Sequence, residues 1–172
     1  AKISAAKGTL KINAPGQQDI VIAQAVSELT ELVGTPGASC SFAITVVLGG
    51  DQAEPLRKLR NADQSYRIIP DGENGIKLVA LTSRGIYYAA KTLQQLIRPK
   101  ATADRLVIPL AEVTDWPDME DRGLWGTDSE RLLAWMAERK MNLQEQISAR
   151  WVSPDGTATS RPKSGVDGPL VT

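Results

Sequence analysis

The sequence predicts an α+β fold in which a mixed or antiparallel sheet carries two helices on one face. Three observations support this prediction. Strand-like and helix-like runs follow one another in the order β-α-β-β-β-α-β through residue 114, two of the strand-like runs flank a tight turn, and each helical run has one apolar face. The 42% apolar content of the 172 residues is sufficient for a core of that size.

The first strand and the first helix are marked by a change in the period of the apolar residues. Residues 7–13 alternate as a strand does and end before Pro15. From about residue 18 to residue 33 the apolar residues have helical spacing, and Gly34 is suited to end the helix. Phe42–Leu48 is nearly all apolar or β-branched, which predicts a strand inside the sheet. The neighbouring Cys40 is predicted to be a buried, unreactive thiol.

A hairpin, a second helix and a further strand complete the predicted domain. The runs 65–69 and 75–81 flank Asp-Gly and Asn-Gly pairs, which predicts an antiparallel hairpin. Ser83 is the predicted N-cap of the second helix, and Pro99 ends it. Residues 105–110 form the last strand. One face of the helix is apolar: Ile86, Ala89 or Ala90, Leu93 and Ile97.

The chain beyond residue 114 has a different pattern. Residues 122–126 and 142–147 are predicted strands, and a helix between them begins at a Thr127-x-x-Glu capping box. Its apolar face consists of Leu132, Leu133, Trp135, Met136 and Met141, and Trp135 is predicted to be core. A β-α-β unit is the repeat of a (β/α)₈ barrel, and a single unit cannot close one. We therefore predict an α+β accessory domain over 1–114, a junction with the first unit of an incomplete barrel over 115–152, and a flexible tail over 153–172.

Composition excludes several classes of function. Twenty basic residues balance twenty acidic ones, which argues against nucleic-acid binding. The chain has no histidine, so Ser-His-Asp, Cys-His and His-metal chemistry are excluded, and a single cysteine cannot form an internal disulfide. No apolar run reaches the length of about 20 residues that a membrane span requires. We predict no metal site and no cofactor.

Two motifs carry a family resemblance. The first is the run from Gly85 to Ile97, Gly-Ile-Tyr-Tyr-Ala-Ala-Lys-Thr-Leu-Gln-Gln-Leu-Ile, and the second is Asp-Trp-Pro-Asp at 115–118 followed by Arg122-Gly123. Together they resemble the small domain that precedes the catalytic barrel in family 20 glycoside hydrolases, the β-N-acetylhexosaminidases. The resemblance covers roughly residues 5–150.

Two residues are candidates for substrate binding, and the resemblance implies a role for the first of them. Arg122 matches the family's arginine that hydrogen-bonds sugar hydroxyls, and its planar fork suits a pair of vicinal hydroxyls. The alternative for Arg122 is an ion pair with an acid of the junction, Asp118, Glu120 or Asp121. Trp125 adjoins a predicted strand end, where barrel sites form, and is the second candidate for substrate binding. The alternative for Trp125 is packing in the protein interior.

The chain departs from the family in two respects. After Arg122 it reads Gly126-Thr127-Asp128-Ser129-Glu130-Arg131-Leu132, without the histidine of the Asp-x-x-Arg-His sequence that often follows the family's arginine. The family's catalytic Asp-Glu pair lies further along the barrel, beyond residue 172, so no catalytic residue is predicted in this chain. The acids clustered at the junction are more typical of a solvated linker.

The leading hypothesis is therefore an accessory domain, itself non-catalytic, of a hydrolase acting on N-acetylhexosamine-containing glycans. Its partners would be the remainder of the barrel and, through the parent enzyme, the glycan. A homodimer is another way to cover the exposed face of the barrel fragment. The resemblance suggests a periplasmic or extracellular parent. The alternative is a stand-alone α+β binding module without enzymatic activity.

Overall fold

The computed structural model describes residues 1–16, 19–125 and 129–145, and the short segments 150–152, 158–159 and 170–171. They form two compact units, Ala1–Glu120 and Asp121–Thr172. The helices are α1 Ile20–Val33, α2 Ser83–Ile97 and α3 Glu130–Glu138. The strands of the first unit are β1 Lys2–Ala6, β2 Leu10–Asn13, β3 Phe42–Leu48, β4 Tyr66–Pro70, β5 Gly75–Ala80, β6 Arg105–Pro109 and β7 Val113–Asp115. Those of the second are β8 Gly123–Trp125, β9 Leu143–Glu145, β10 Arg150–Val152, β11 Ala158–Thr159 and β12 Leu170–Val171.

The first unit is built on a mixed five-stranded sheet in the order β2-β3-β5-β4-β7. The strands β2, β3 and β5 are parallel, whereas β4 pairs antiparallel with both β5 and β7. The predicted hairpin is therefore the β4–β5 pair. Strands β1 and β6 form a separate antiparallel pair. The α+β fold class with a mixed sheet is confirmed.

Alternation along the strands divides the apolar residues between two clusters. The larger cluster joins α1 and α2 to one sheet face and includes Ile44, Leu78 and the fully buried Leu93. The smaller one lies under the 3₁₀ turn Glu54–Lys58 and includes Leu56 and Val79. Since Leu78 and Val79 are consecutive in β5, their side chains point to opposite faces. Both helices thus lie on the same face.

Two local predictions for the first unit need correction, and two strands were not predicted. The N-cap of α2 is Thr82 and not Ser83, because the Thr82 hydroxyl accepts the hydrogen bond of the Gly85 amide. Cys40 is exposed and precedes β3. Strands β1 and β7 were not predicted, since they are short and their pairing partners are distant in sequence.

The second unit contains a β-α-β arrangement. Strands β8 and β9 are parallel, and α3 connects them. Ser129 is the N-cap of α3, accepting from the Leu132 amide, whereas the predicted cap Thr127 lies outside the described residues. The predicted core position Trp135 is 40% exposed, and Met136 is the one buried residue of α3 among those described. That this arrangement begins a barrel stays a prediction.

The predicted tail contributes two short strands. In the part of it that the structure describes, β11 and β12 each pair antiparallel with β10. The remaining residues after 152 lie outside the described part of the chain. The predicted domain boundaries at 114 and 152 stay predictions.

Candidate functional site at the junction segment

The two motifs of the sequence meet at a buried tyrosine. Residues 115–120, called here the junction segment, begin with Asp115 at the end of β7. The hydroxyl of Tyr66 in β4 donates a hydrogen bond to the Asp115 carboxylate and lies 2.5 Å from the Thr92 hydroxyl of α2. Tyr66 is only 1% exposed. The Tyr66 hydroxyl therefore connects the helix motif to the Asp-Trp-Pro-Asp motif.

The environment of Tyr66 keeps its hydroxyl protonated. Burial raises the pKa of Tyr66, and the hydrogen bond to Asp115 raises it further, because both disfavour the phenolate. Tyr66 is thus a permanent donor toward the junction segment at physiological pH. Sequence analysis did not single out this residue, because its partners are 26 and 49 positions away along the chain.

Two further side chains hold the junction segment by its backbone. Asn61 Nδ2 donates to the carbonyl oxygen of Pro117 at 2.8 Å, and Gln64 Nε2 donates to that of Glu120 at 2.8 Å. Asn61 has φ of 50°, in the left-handed region that asparagine tolerates better than most residues. Both donors lie in the connection between β3 and β4, so one short stretch of chain holds two points of the segment.

The start of α2 supports that stretch. A Cβ atom at Gly85 would lie 2.5 Å from the Ser65 carbonyl oxygen, so only glycine permits this close approach. The Thr82 hydroxyl donates to the Asp63 carbonyl oxygen, and Arg84 forms an ion pair with the Asp63 carboxylate at 3.2 Å. The unusual glycine near the helix start is thereby explained by packing against Ser65.

The side chains of the junction segment remain largely on the surface. Trp116 is 41% exposed and Met119 is 64% exposed. Asp118 and Glu120 are also exposed, as expected for a solvated linker. Asp115 differs from these acids because it accepts the Tyr66 hydrogen bond. The Asp115 carboxylate therefore holds the junction segment against Tyr66.

In the second unit, Arg122 contacts the loop that precedes β9. Its Nε and Nη2 atoms donate to the Lys140 carbonyl oxygen at 3.2 and 2.7 Å, and its backbone N–H donates to Asn142 Oδ1 at 2.8 Å. Lys140 has φ of 57°, so the guanidinium holds a tight turn. Arg122 precedes β8, whereas barrel active sites lie at the carboxyl ends of strands. Its sugar contact stays a prediction.

The other candidate, Trp125, ends β8, and its side chain lies outside the described residues. A shallow depression of about 400 Å³ lies beside this strand within the second unit. The Arg139 guanidinium stacks 3.9 Å from the centroid of the Trp135 ring, which lines the depression. Sequence analysis placed Trp135 in the core and so did not propose this surface. The full lining is Leu124, Ser129, Arg131, Leu132 and Trp135.

A match to a protein-family model establishes the family to which the chain belongs. The model described as glycosyl hydrolase family 20, domain 2 matches residues 4–116, well over half of the chain. The chain belongs to this family. The resemblance stated from the two motifs is thereby confirmed, and the match to domain 2 ends at residue 116, within the junction segment.

Solved structures show the same fold. A Streptomyces plicatus β-hexosaminidase mutant in complex with GlcNAc has a TM-score of 0.65 at 18% identity, covering 89% of this chain and 32% of its own. A Vibrio harveyi exo-β-N-acetylglucosaminidase in complex with N-acetylglucosamine has a TM-score of 0.63 at 16% identity, with 89% and 24% covered. A Flavobacterium johnsoniae chitobiase has a TM-score of 0.61 at 18% identity, with 89% and 26% covered.

This chain therefore spans about a quarter to a third of the length of these three structures. Comparison with curated protein sequences finds no match. Among the described residues, no helix has the length and apolar content to cross a membrane. The same residues contain no group of three or more cysteine or carboxylate side chains suited to hold a metal ion.

Proposed function

We propose that this chain is the accessory part of a glycoside hydrolase that acts on N-acetylhexosamine-containing glycans, and that it is itself non-catalytic. The observation that carries the proposal is the match of residues 4–116 to domain 2 of family 20. The fold shared with the hexosaminidases named above supports it. The substrate class is carried over from the names of those proteins.

The contacts of the first unit suit a supporting role. The acid of the junction with the best defined contact, Asp115, accepts a hydrogen bond from a buried tyrosine that burial and the carboxylate keep protonated. A carboxylate used in this way holds the chain in position. The catalytic Asp-Glu pair that the family resemblance implies would lie in a part of the protein beyond residue 172.

The second unit presents apolar side chains that suit the remainder of a barrel as partner. Leu133 and Leu143 are each 41% exposed, and Trp135 is 40% exposed. Apolar surface of this kind is typical of a face that packs against other protein. The contact of Arg122 with sugar hydroxyls belongs to the same proposal.

A direct assay tests the non-catalytic assignment. The purified 172-residue chain is incubated with 4-nitrophenyl N-acetyl-β-D-glucosaminide and with the corresponding galactosaminide, beside an active hexosaminidase. We expect no release of nitrophenol above the buffer rate. Turnover that co-purifies with the chain and is lost in an Asp118→Asn or Glu120→Gln variant would overturn the assignment. In that case the acids of the junction would be catalytic.

A further inference from the structure

We propose that Asn61, Gln64 and Tyr66 form a clamp that fixes the path of the junction segment where it leaves the first unit. The Gly85 and Thr92 positions of the helix motif serve to hold this clamp. The inference deepens the proposed function, because an accessory domain supports its neighbour only if the connecting chain has a fixed path. The clamp lies entirely within Ala1–Glu120.

The spacing of the contacts is the first argument. The clamp holds the junction segment at its first residue, Asp115, at its third, Pro117, and at its last, Glu120. Three fixed points over six residues leave little freedom for the chain between them. Two of the three contacts are to backbone carbonyl oxygens, so the clamp controls the path of the chain while the side chains of Trp116 and Met119 remain exposed.

The burial of Gln64 is the second argument. Gln64 is 0% exposed, and its Oε1 atom has no hydrogen-bond partner among the described residues. Burying an amide is unfavourable unless its hydrogen bonds are made, so an apolar side chain of similar size would serve a purely packing role better. The hydrogen bond from Nε2 to the Glu120 carbonyl oxygen accounts for an amide side chain at this buried position. Gln64 is therefore a positioning residue for the junction segment.

The support of the clamp is the third argument. Ser65 lies between Gln64 and Tyr66, is fully buried, and its carbonyl oxygen packs against Gly85. The Thr92 hydroxyl, two turns further along α2, contacts the Tyr66 hydroxyl at 2.5 Å. The same helix thus contacts one member of the clamp, Tyr66, and the backbone of Ser65 between Gln64 and Tyr66, so residues of both sequence motifs take part in the same set of contacts.

Proteolysis at two sites of one molecule tests the clamp. Endoproteinase Glu-C is added to the full chain under native conditions, and mass spectrometry follows cleavage after Glu120 and after Glu73. Glu73 is an exposed residue of the β4–β5 turn, so it serves as an internal reference. The variants are Gln64→Met, which keeps the size of the side chain but loses the donor, and Asn61→Gly, which keeps access to positive φ. Lys91→Met, which removes the ion pair of α2 with Glu28, is the control for general destabilisation.

We expect the ratio of cleavage after Glu120 to cleavage after Glu73 to rise about tenfold in Gln64→Met, as for the loss of one buried hydrogen bond. Asn61→Gly should raise it in the same direction, and Lys91→Met should leave it unchanged. An unchanged ratio in Gln64→Met, or an equal rise in Lys91→Met, would overturn the clamp. If Gln64→Met does not fold, Asn61→Gly decides by the same ratio. The readout involves no sugar, so it is independent of whether the parent is a hydrolase.

Discussion

Replacement of Gly85 by alanine tests how closely the helix motif packs against the clamp. Glycine to alanine near the start of a helix would ordinarily stabilise it by up to about 1 kcal/mol. Here the new Cβ would lie 2.5 Å from the Ser65 carbonyl oxygen and 2.7 Å from the Ala80 Cβ. Neither atom belongs to a flexible side-chain end. Overpacking of a rigid, buried site lowers stability by about 1–3 kcal/mol.

The overpacking outweighs the gain in helix propensity. We expect Gly85→Ala to lower the free energy of unfolding by about 2 kcal/mol and the melting temperature by roughly 4–10 °C. Urea and thermal unfolding followed by circular dichroism measure both quantities. The control is Arg84→Ala at the preceding position, which removes only an exposed ion pair with Asp63 worth at most about 1 kcal/mol. Stabilisation by Gly85→Ala would refute the close packing of α2 on Ser65.

Four further predictions follow from other contacts. The ammonium of Lys91, a residue that is 6% exposed, lies 2.5 Å from the Glu28 carboxylate. Glu28→Ala removes this ion-pair partner and should lower the free energy of unfolding by about 3 kcal/mol in urea melts, more than Glu28→Gln does. Burial raises the pKa of Glu28, but hydrogen bonds from Lys91 and two glutamines outweigh burial and lower the pKa below 4.5. The stability difference between wild type and Glu28→Gln should therefore persist at neutral pH and shrink as the pH falls below about 4.5. An unchanged difference at pH 3 would contradict the pairing. Arg122→Met removes both donors to the Lys140 carbonyl oxygen and should speed tryptic cleavage after Lys140. An unchanged cleavage rate together with weaker binding of N-acetylglucosamine would instead favour a contact of Arg122 with the sugar. Gly123→Ala would place a Cβ against the carbonyl of the adjacent strand and should abolish the β8–β9 pairing, seen as a changed near-ultraviolet spectrum of the tryptophans.

Elements with strong local signals could be predicted from the sequence. The helix α1 ends at Val33, and Gly34 has φ of 85° there, which a glycine adopts without strain. Strand β3 has the predicted bounds, since its continuous apolar run has no competing helical period. The predicted hairpin is the antiparallel pair β4–β5, because its turn carries residues that tolerate positive φ, among them Gly72 at 66°.

Features that depend on distant partners could not be predicted. Asn61 and Gln64 each contact a carbonyl 56 positions away, and no local pattern marks such a contact. The prediction for Trp135 was wrong, because periodicity shows which side of a helix is apolar but not whether that side is covered. Cys40 was predicted to be buried from its apolar neighbours, yet it precedes the strand and is exposed.

The measurement that tests the central claim most directly is the intact mass of the natural polypeptide that carries this sequence, purified from its source cell and assayed for release of N-acetylhexosamine. The account predicts a polypeptide several hundred residues longer than 172, with hexosaminidase activity, in which these residues form domain 2 and the start of the barrel. A polypeptide that ends near Thr172 and releases no sugar would contradict the account and favour a stand-alone binding module.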